Sequence, residues 1–136
     1  MRISSFIITS LLFGAVCSCS APKSEMSTLV NSSLQTATIQ SKLMAESLLD
    51  KEGKLPRTIG KDGKLVTSES RWWTSGFYPG TLWYCYEYSN DPQVRAAAEE
   101  MTSRVEKQKY TTSNHDVGFI INCSFGNGYR LTRNEA

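Results

Sequence analysis

The dipeptide Asp91-Pro92, set between an aromatic segment and a charged one, constrains the fold of this chain more than any other feature. An aspartate offers a side-chain oxygen to the unpaired N–H groups of a helix's first turn. A proline at the first helical position costs nothing, because its missing N–H would have no partner there. The pair therefore starts a helix. Downstream, Val94, Ala98, Met101 and Val105 recur at helical spacing while the other faces are charged, which predicts an amphipathic helix over 92–108. Upstream, WWTSGFYPGTLWYCYEYS places Pro79 in another first turn, followed by the i,i+4 pairs Leu82/Tyr86 and Tyr84/Tyr88. Two helices joined by Ser89-Asn90-Asp91 make a helical hairpin.

The rest of the chain follows the same rule. From Ser24 to Asp50, Met26, Val30, Leu34, Ile39, Leu43, Met44 and Leu48 recur at three and four, predicting one helix with that stripe buried and an end before Gly53. GKLPRTIGKDGKLVTSESR reads as a long loop with a tight turn at Asp62-Gly63. After the polar break YTTSNH, DVGFIINCSF is a short apolar segment, expected to be helical and closed by Gly126 and Gly128. Thr132 and Glu135 have the spacing of a capping box, which announces a further helix and predicts that the chain is the N-terminal portion of a longer protein. With no repeat and no strand-like alternation, the expected class is all-α.

Composition excludes little. The 136 residues are 40% hydrophobic, enough for one domain at most, and a net charge of +2 gives no field that argues for nucleic acid. The N-terminus is more telling. Arg2 precedes FIITSLLFGAV, too short to span a bilayer and suited to a secretory signal. VCSC then resembles the lipobox of bacterial lipoproteins, with Cys19 as the lipidated residue. Cys17 fits less well after bulky Val16, and an ordinary secretory signal is the alternative. The expected division is a signal peptide over 1–18, a lipidated tether over 19–25 and the folded region over 26–136. The protein is then exported and membrane-anchored through its lipid, in the periplasm or at the outer membrane. Cys85 and Cys123 read as buried free thiols without metal-ligand spacing, and a single histidine offers no zinc site.

Most of the 13 carboxylates belong to charged helix faces, helix ends or turns. Asp116 differs, since a loop delivers it and an apolar segment follows. It reads either as the N-cap of that segment or as a site residue. Capping would favour its ionised form and suit a base, charge stabiliser or hydrogen-bond acceptor better than a proton donor. His115 has a structural reading and a catalytic one. Trp72 and Trp73 are core residues or a flat apolar face for a sugar ring.

Taken together, WTSGFYPGTLWYCYEYS, DPQVRAAAEE and NHDVGFIINCSFGNGYRLT resemble glycoside hydrolase family 88, the unsaturated glucuronyl hydrolases, over roughly residues 25–136. W-T-x-G-F-x-P-G-x-L-W with H-D-x-G-F is far more specific than either motif alone. The resemblance implies an (α/α)6 barrel of six helical hairpins, of which this chain supplies the opening helices. It also implies removal of Δ4,5-unsaturated glucuronic acid from lyase-generated glycosaminoglycan disaccharides. A carboxyl group protonates C4 of the enol ether, water adds at C5, and the hemiketal opens. Neither metal nor organic cofactor is implied. Carried over by position, Asp116 matches the family's first active-site aspartate, Trp73 would stack on substrate, and His115 would share the pocket. The principal acid, a second aspartate on a later helix, would lie beyond Ala136, leaving the chain inactive alone. Two alternatives are an unsaturated rhamnogalacturonyl hydrolase and an inactive glycan-binding lipoprotein fragment.

Overall fold

The computed structural model describes residues 24–134. Cys19, the expected signal peptide and Glu135 lie outside the described residues. In chain order the elements are α1 (Glu25–Glu46), β1 (Leu55–Ile59), β2 (Leu65–Ser68), α2 (Phe77–Ser89), α3 (Pro92–Ser103), a 3-10 helix (Glu106–Tyr110), α4 (Val117–Ile121), a π-helical turn (Asn122–Gly126) and α5 (Asn127–Thr132).

The hairpin of α2 and α3 stands as its sequence predicts. The Asp91 carboxylate accepts from the Gln93 N–H, Pro92 occupies the first turn, and Asn90 turns the chain in the left-handed region at φ 52°. Val94, Ala98, Met101 and Val105 are all buried, packing with Leu82, Trp83, Leu48, Leu55 and Ile120 into one core. Each of the larger aliphatic side chains contributes about 1.5–3 kcal/mol on burial. Inside this core the Trp83 indole N–H donates to Thr102 Oγ1 at 3.0 Å, so the largest ring carries no unpaired polar atom. The helix predicted over 92–108 stops at Ser103 and continues, after a turn, as the 3-10 segment.

Three expectations are corrected. The first helix forms and ends at Glu46; of its apolar stripe, Leu48 just beyond it is buried and Met44 partly so, but the rest is not. Met26, Val30, Leu34, Ile39 and Leu43 are exposed, whereas Thr38, Ser41 and Ala45 are buried. Small side chains let α1 approach α2 closely enough for the Tyr78 hydroxyl to donate to the Ser41 carbonyl at 2.7 Å. Periodicity locates a stripe and does not say what covers it.

The long loop contains a two-stranded antiparallel hairpin, with Leu55 opposite Ser68 and Ile59 opposite Leu65. The register shifts between Pro56 and Thr58, leaving Arg57 as the extra residue of a bulge. The expected tight turn is present, with Gly63 at φ 75° and Asp62 Oδ1 accepting from the Lys64 N–H. These strands are too short for alternation to be recognised in sequence.

Finally, Gly126 and Gly128 do not close the last segment. Helical backbone runs from Val117 through the π turn to Thr132, and Arg133 ends it at φ 59°. Thr132 accepts from the Asn134 N–H, while the Glu135 half of the expected capping box lies outside the described residues. Cys85 and Cys123 are free thiols, Cys85 buried and Cys123 half-buried.

Candidate active site

Two glycines decide where the site residues lie. At Gly76 a Cβ would come within 2.2 Å of the Ile120 carbonyl oxygen, and at Gly80 within 2.7 Å of that of Cys123. One turn apart at the start of α2, they let that helix touch the backbone of α4 and the π turn. Beyond the π turn the relation reverses, since a Cβ on Gly128 would meet the Trp83 ring at 3.1 Å. The spacing G-F-x-P-G-x-L-W is therefore the contact surface of α2 on the segment that follows Asp116. The sequence reading took Gly128 as a helix end and missed Gly76 and Gly80 as contacts. Their i,i+4 spacing was the available signal.

This contact brings the turn before α2 beside the turn before α4. Trp73 is 45% exposed and meets Phe77 edge-on, with centroids 5.7 Å apart and planes at 86°. Phe77 in turn meets Phe119 edge-on at 6.2 Å. All three rings reach solvent, forming a ladder that ends one helical turn from Asp116. Its first ring belongs to the tryptophan turn and its last to α4. Phe77 and Phe119 were not singled out from sequence, because an aromatic at helical spacing reads equally as core.

Asp116 stands at the N-cap position of α4, yet its carboxylate accepts no cap hydrogen bond, and its backbone is helical at φ −67°, ψ −10°. The capping reading is corrected. A side-chain cap needs extended backbone, as Asp91 has, to turn the carboxylate back over the first N–H groups. Here Asn114 holds the approach instead, its Oδ1 accepting from the Asp116 N–H at 2.9 Å. The Asp116 side chain is 26% exposed and lies 3.3 Å from the His115 imidazole, whose side chain is 92% exposed. The structure thus places Asp116 and His115 side by side, and the ladder from Trp73 ends at Phe119, in the helix that follows Asp116. Behind Trp73, the Arg57 guanidinium sits 3.7 Å over the Trp72 ring.

The arrangement offers a carboxylate whose oxygens are committed to no backbone group, one helical turn along the chain from the last ring of an exposed aromatic ladder. Such a pairing suits a sugar, which presents hydroxyls in its plane and C–H groups on its faces. A cavity of about 340 Å³ between α3 and α5, lined by Trp83, Thr102, Phe125 and Tyr129 among others, includes none of Asp116, His115 or Trp73.

Comparison with known proteins bears on the chain as a whole. An unsaturated glucuronyl hydrolase of Formosa agariphila is 44% identical over 76 residues, 55% of this chain and 19% of that protein. Another, from Bacillus sp. strain GL1, is 32% identical over 74 residues, 52% of this chain and 20% of the other. The solved structure of an unsaturated glucuronyl hydrolase specific for heparin superposes with a TM-score of 0.74 at 38% identity, covering 79% of this chain and 29% of that one. No family model matches the chain. The chain spans about a fifth of the length of the curated relatives it matches.

Over the region it spans, the molecule is part of an all-α barrel of helical hairpins, with a small two-stranded sheet added. Over those residues it is similar in sequence and fold to the unsaturated glucuronyl hydrolases of glycoside hydrolase family 88.

Proposed function

We propose that the whole protein removes Δ4,5-unsaturated glucuronic acid from glycosaminoglycan disaccharides left by polysaccharide lyases. The observation that carries this reading is the uncapped Asp116 carboxylate, one helical turn from the exposed ladder of Trp73, Phe77 and Phe119. The substrate class draws support from the names of the relatives, which include an unsaturated chondroitin disaccharide hydrolase of Streptococcus pyogenes, 32% identical over 69 residues.

In this proposal Trp73 stacks on the sugar, and Asp116 accepts hydrogen bonds from its hydroxyls. Proton transfer to C4 of the enol ether leaves positive charge shared between C5 and the ring oxygen, which a nearby carboxylate stabilises. Water then adds at C5 and loses a proton, and the hemiketal opens to release the second sugar. Protonation falls to a second carboxylate elsewhere in the whole protein, since Asp116 serves as acceptor. His115, exposed beside Asp116, contributes hydrogen bonds at the rim. Export and anchoring through Cys19 complete the proposal, resting on the lipobox-like VCSC. Replacing Cys19 by Ser should release the protein from the membrane fraction, and retention there would refute the anchor.

The activity is tested on the whole protein by following the ultraviolet absorbance of the conjugated enol ether. Wild type should bleach it with glycosaminoglycan-derived disaccharides in preference to pectin-derived ones, and Asp116→Asn should slow the reaction by at least about 100-fold. Unchanged turnover in that variant would remove Asp116 from the site.

A further inference from the structure

The two loops that carry Trp73 and Asp116 are joined by a second connection, which is buried and polar. Ser70 and Gln108 are 0% and 5% exposed. Gln108 Nε2 donates to Ser70 Oγ at 2.7 Å, and Thr111 Oγ1 donates to Gln108 Oε1 at 3.1 Å. Ser75, 1% exposed, donates to the Ser70 carbonyl at 2.7 Å and so closes the tryptophan turn on itself. Ser70 and Ser75 bracket Trp72 and Trp73, and Thr111 opens the segment that ends at Asp116. The chain of contacts Ser75, Ser70, Gln108, Thr111 thus runs from the tryptophan turn to the 3-10 helix, whose C-cap Thr111 opens the segment that leads to Asp116.

A glutamine is a costly residue to bury, because its amide must replace every hydrogen bond it gave to water. An apolar side chain at 108 would fill the space without that demand. The amide contributes direction, since its two ends engage groups on opposite loops at fixed separation. The contacts of Gly76 on Ile120 and of Phe77 on Phe119 set how closely α2 and α4 approach. The polar connection ties down the turn from Ser70 to Ser75 as well.

We infer that Gln108 is a positioning residue, holding Trp73 and Asp116 in the relative placement that substrate requires through its bonds to Ser70 and Thr111. The inference rests on the assignment of Trp73 and Asp116 to one site. It is tested on the whole protein by cutting the connection at either end, with Ser70→Ala, Thr111→Val and the double variant, and by keeping the hydroxyl with Thr111→Ser. Each single cut should lower kcat/KM about tenfold. The double cut should lose little more than the worse single one, because a connection cut once is already cut, and Thr111→Ser should retain activity. Losses that multiply in the double variant, or single variants at wild-type activity, would overturn the inference.

Amide hydrogen exchange supplies a readout independent of turnover. In Ser70→Ala, exchange over residues 117–120, in the first turn of α4, should quicken about tenfold, and unchanged exchange there would overturn the coupling. A wild-type protein that turned over no unsaturated disaccharide would sink the functional reading, leaving the exchange result alone to decide the coupling.

Discussion

The Cα of Gly76 lies so close beneath the carbonyl oxygen of Ile120 that a methyl group there would come within 2.2 Å of it. Backbone faces backbone at this point, so neither side can yield by rotating a side chain. Gly76→Ala should therefore destabilise the fold by at least about 1–3 kcal/mol, the usual cost of overpacking. Gly126→Ala, whose nearest neighbour would be 3.8 Å away, should be neutral or stabilising by up to about 1 kcal/mol. Denaturant midpoints of the two variants check the contrast, and equal losses would contradict it.

Arg104 ties α3 to the end of α1. Its side chain is 6% exposed, and one guanidinium nitrogen donates to the carbonyls of Leu48, Lys51 and Lys54 at 3.2, 3.1 and 2.9 Å. These carbonyls lie in the turns beyond the end of α1. The Arg104 Nε donates at the same time to the Glu100 carboxylate at 3.1 Å. The single nitrogen of a lysine cannot serve both, so Arg104→Lys should cost about 1.5–3 kcal/mol despite keeping the charge. Chemical denaturation monitored by circular dichroism would measure it.

The hydrogen bond from Lys42 holds the Asp91 carboxyl below its ordinary range, and the Gln93 and Val94 N–H groups add to the effect. Its folded-state pKa is thus lower than its unfolded one. The contribution is complete above the unfolded carboxyl value, near about 3.9, and fades as pH falls through the lower folded value. Acid titration of stability should show a loss below about pH 4 that is smaller in Asp91→Asn. An identical acid limb in the variant would refute the assignment.

Burial pushes the Tyr78 phenol far above its usual range, with its hydroxyl donating to Ser41. Here the folded pKa is raised. Its contribution is intact below the unfolded value of about 10 and declines as pH rises beyond it. Tyr78→Phe should cost about 1 kcal/mol near neutrality and flatten the alkaline limb of the stability curve. The ultraviolet absorbance of the phenolate should show this group ionising only as the chain unfolds.

Legibility in sequence followed the locality of the cause. Asp91-Pro92 and the stripe from Val94 to Val105 depend on neighbours along one helix, and the hairpin of α2 and α3 stands as read. The direction in which α1 faces depends on which surface meets α2, and there Thr38, Ser41 and Ala45 displaced the more apolar stripe. The strands of the Leu55–Ser68 hairpin are five and four residues long and interrupted by a bulge, so no alternation announced them. At the site, His115, Asp116 and Trp73 were visible as residue types. The absence of a cap at Asp116 was not, because it turns on the backbone angles of one residue. Gly76 and Gly80 looked like punctuation in an aromatic run until the opposite backbone was seen.

The π turn at Asn122–Gly126 has a consequence for how this segment tolerates changes in length. In an α-helix each residue advances by about 100° around the axis. A single deletion between Asp116 and Gly128, outside the π turn with its extra residue, would swing everything downstream by that angle relative to everything upstream. Ile120 could still meet Gly76, but Gly128 would leave the Trp83 ring and a residue with a side chain would arrive in its place. The count of residues from the carboxylate to that glycine is therefore as constrained as their identities. Within this stretch a substitution is a local event, whereas an insertion or deletion re-aims the whole end of the segment.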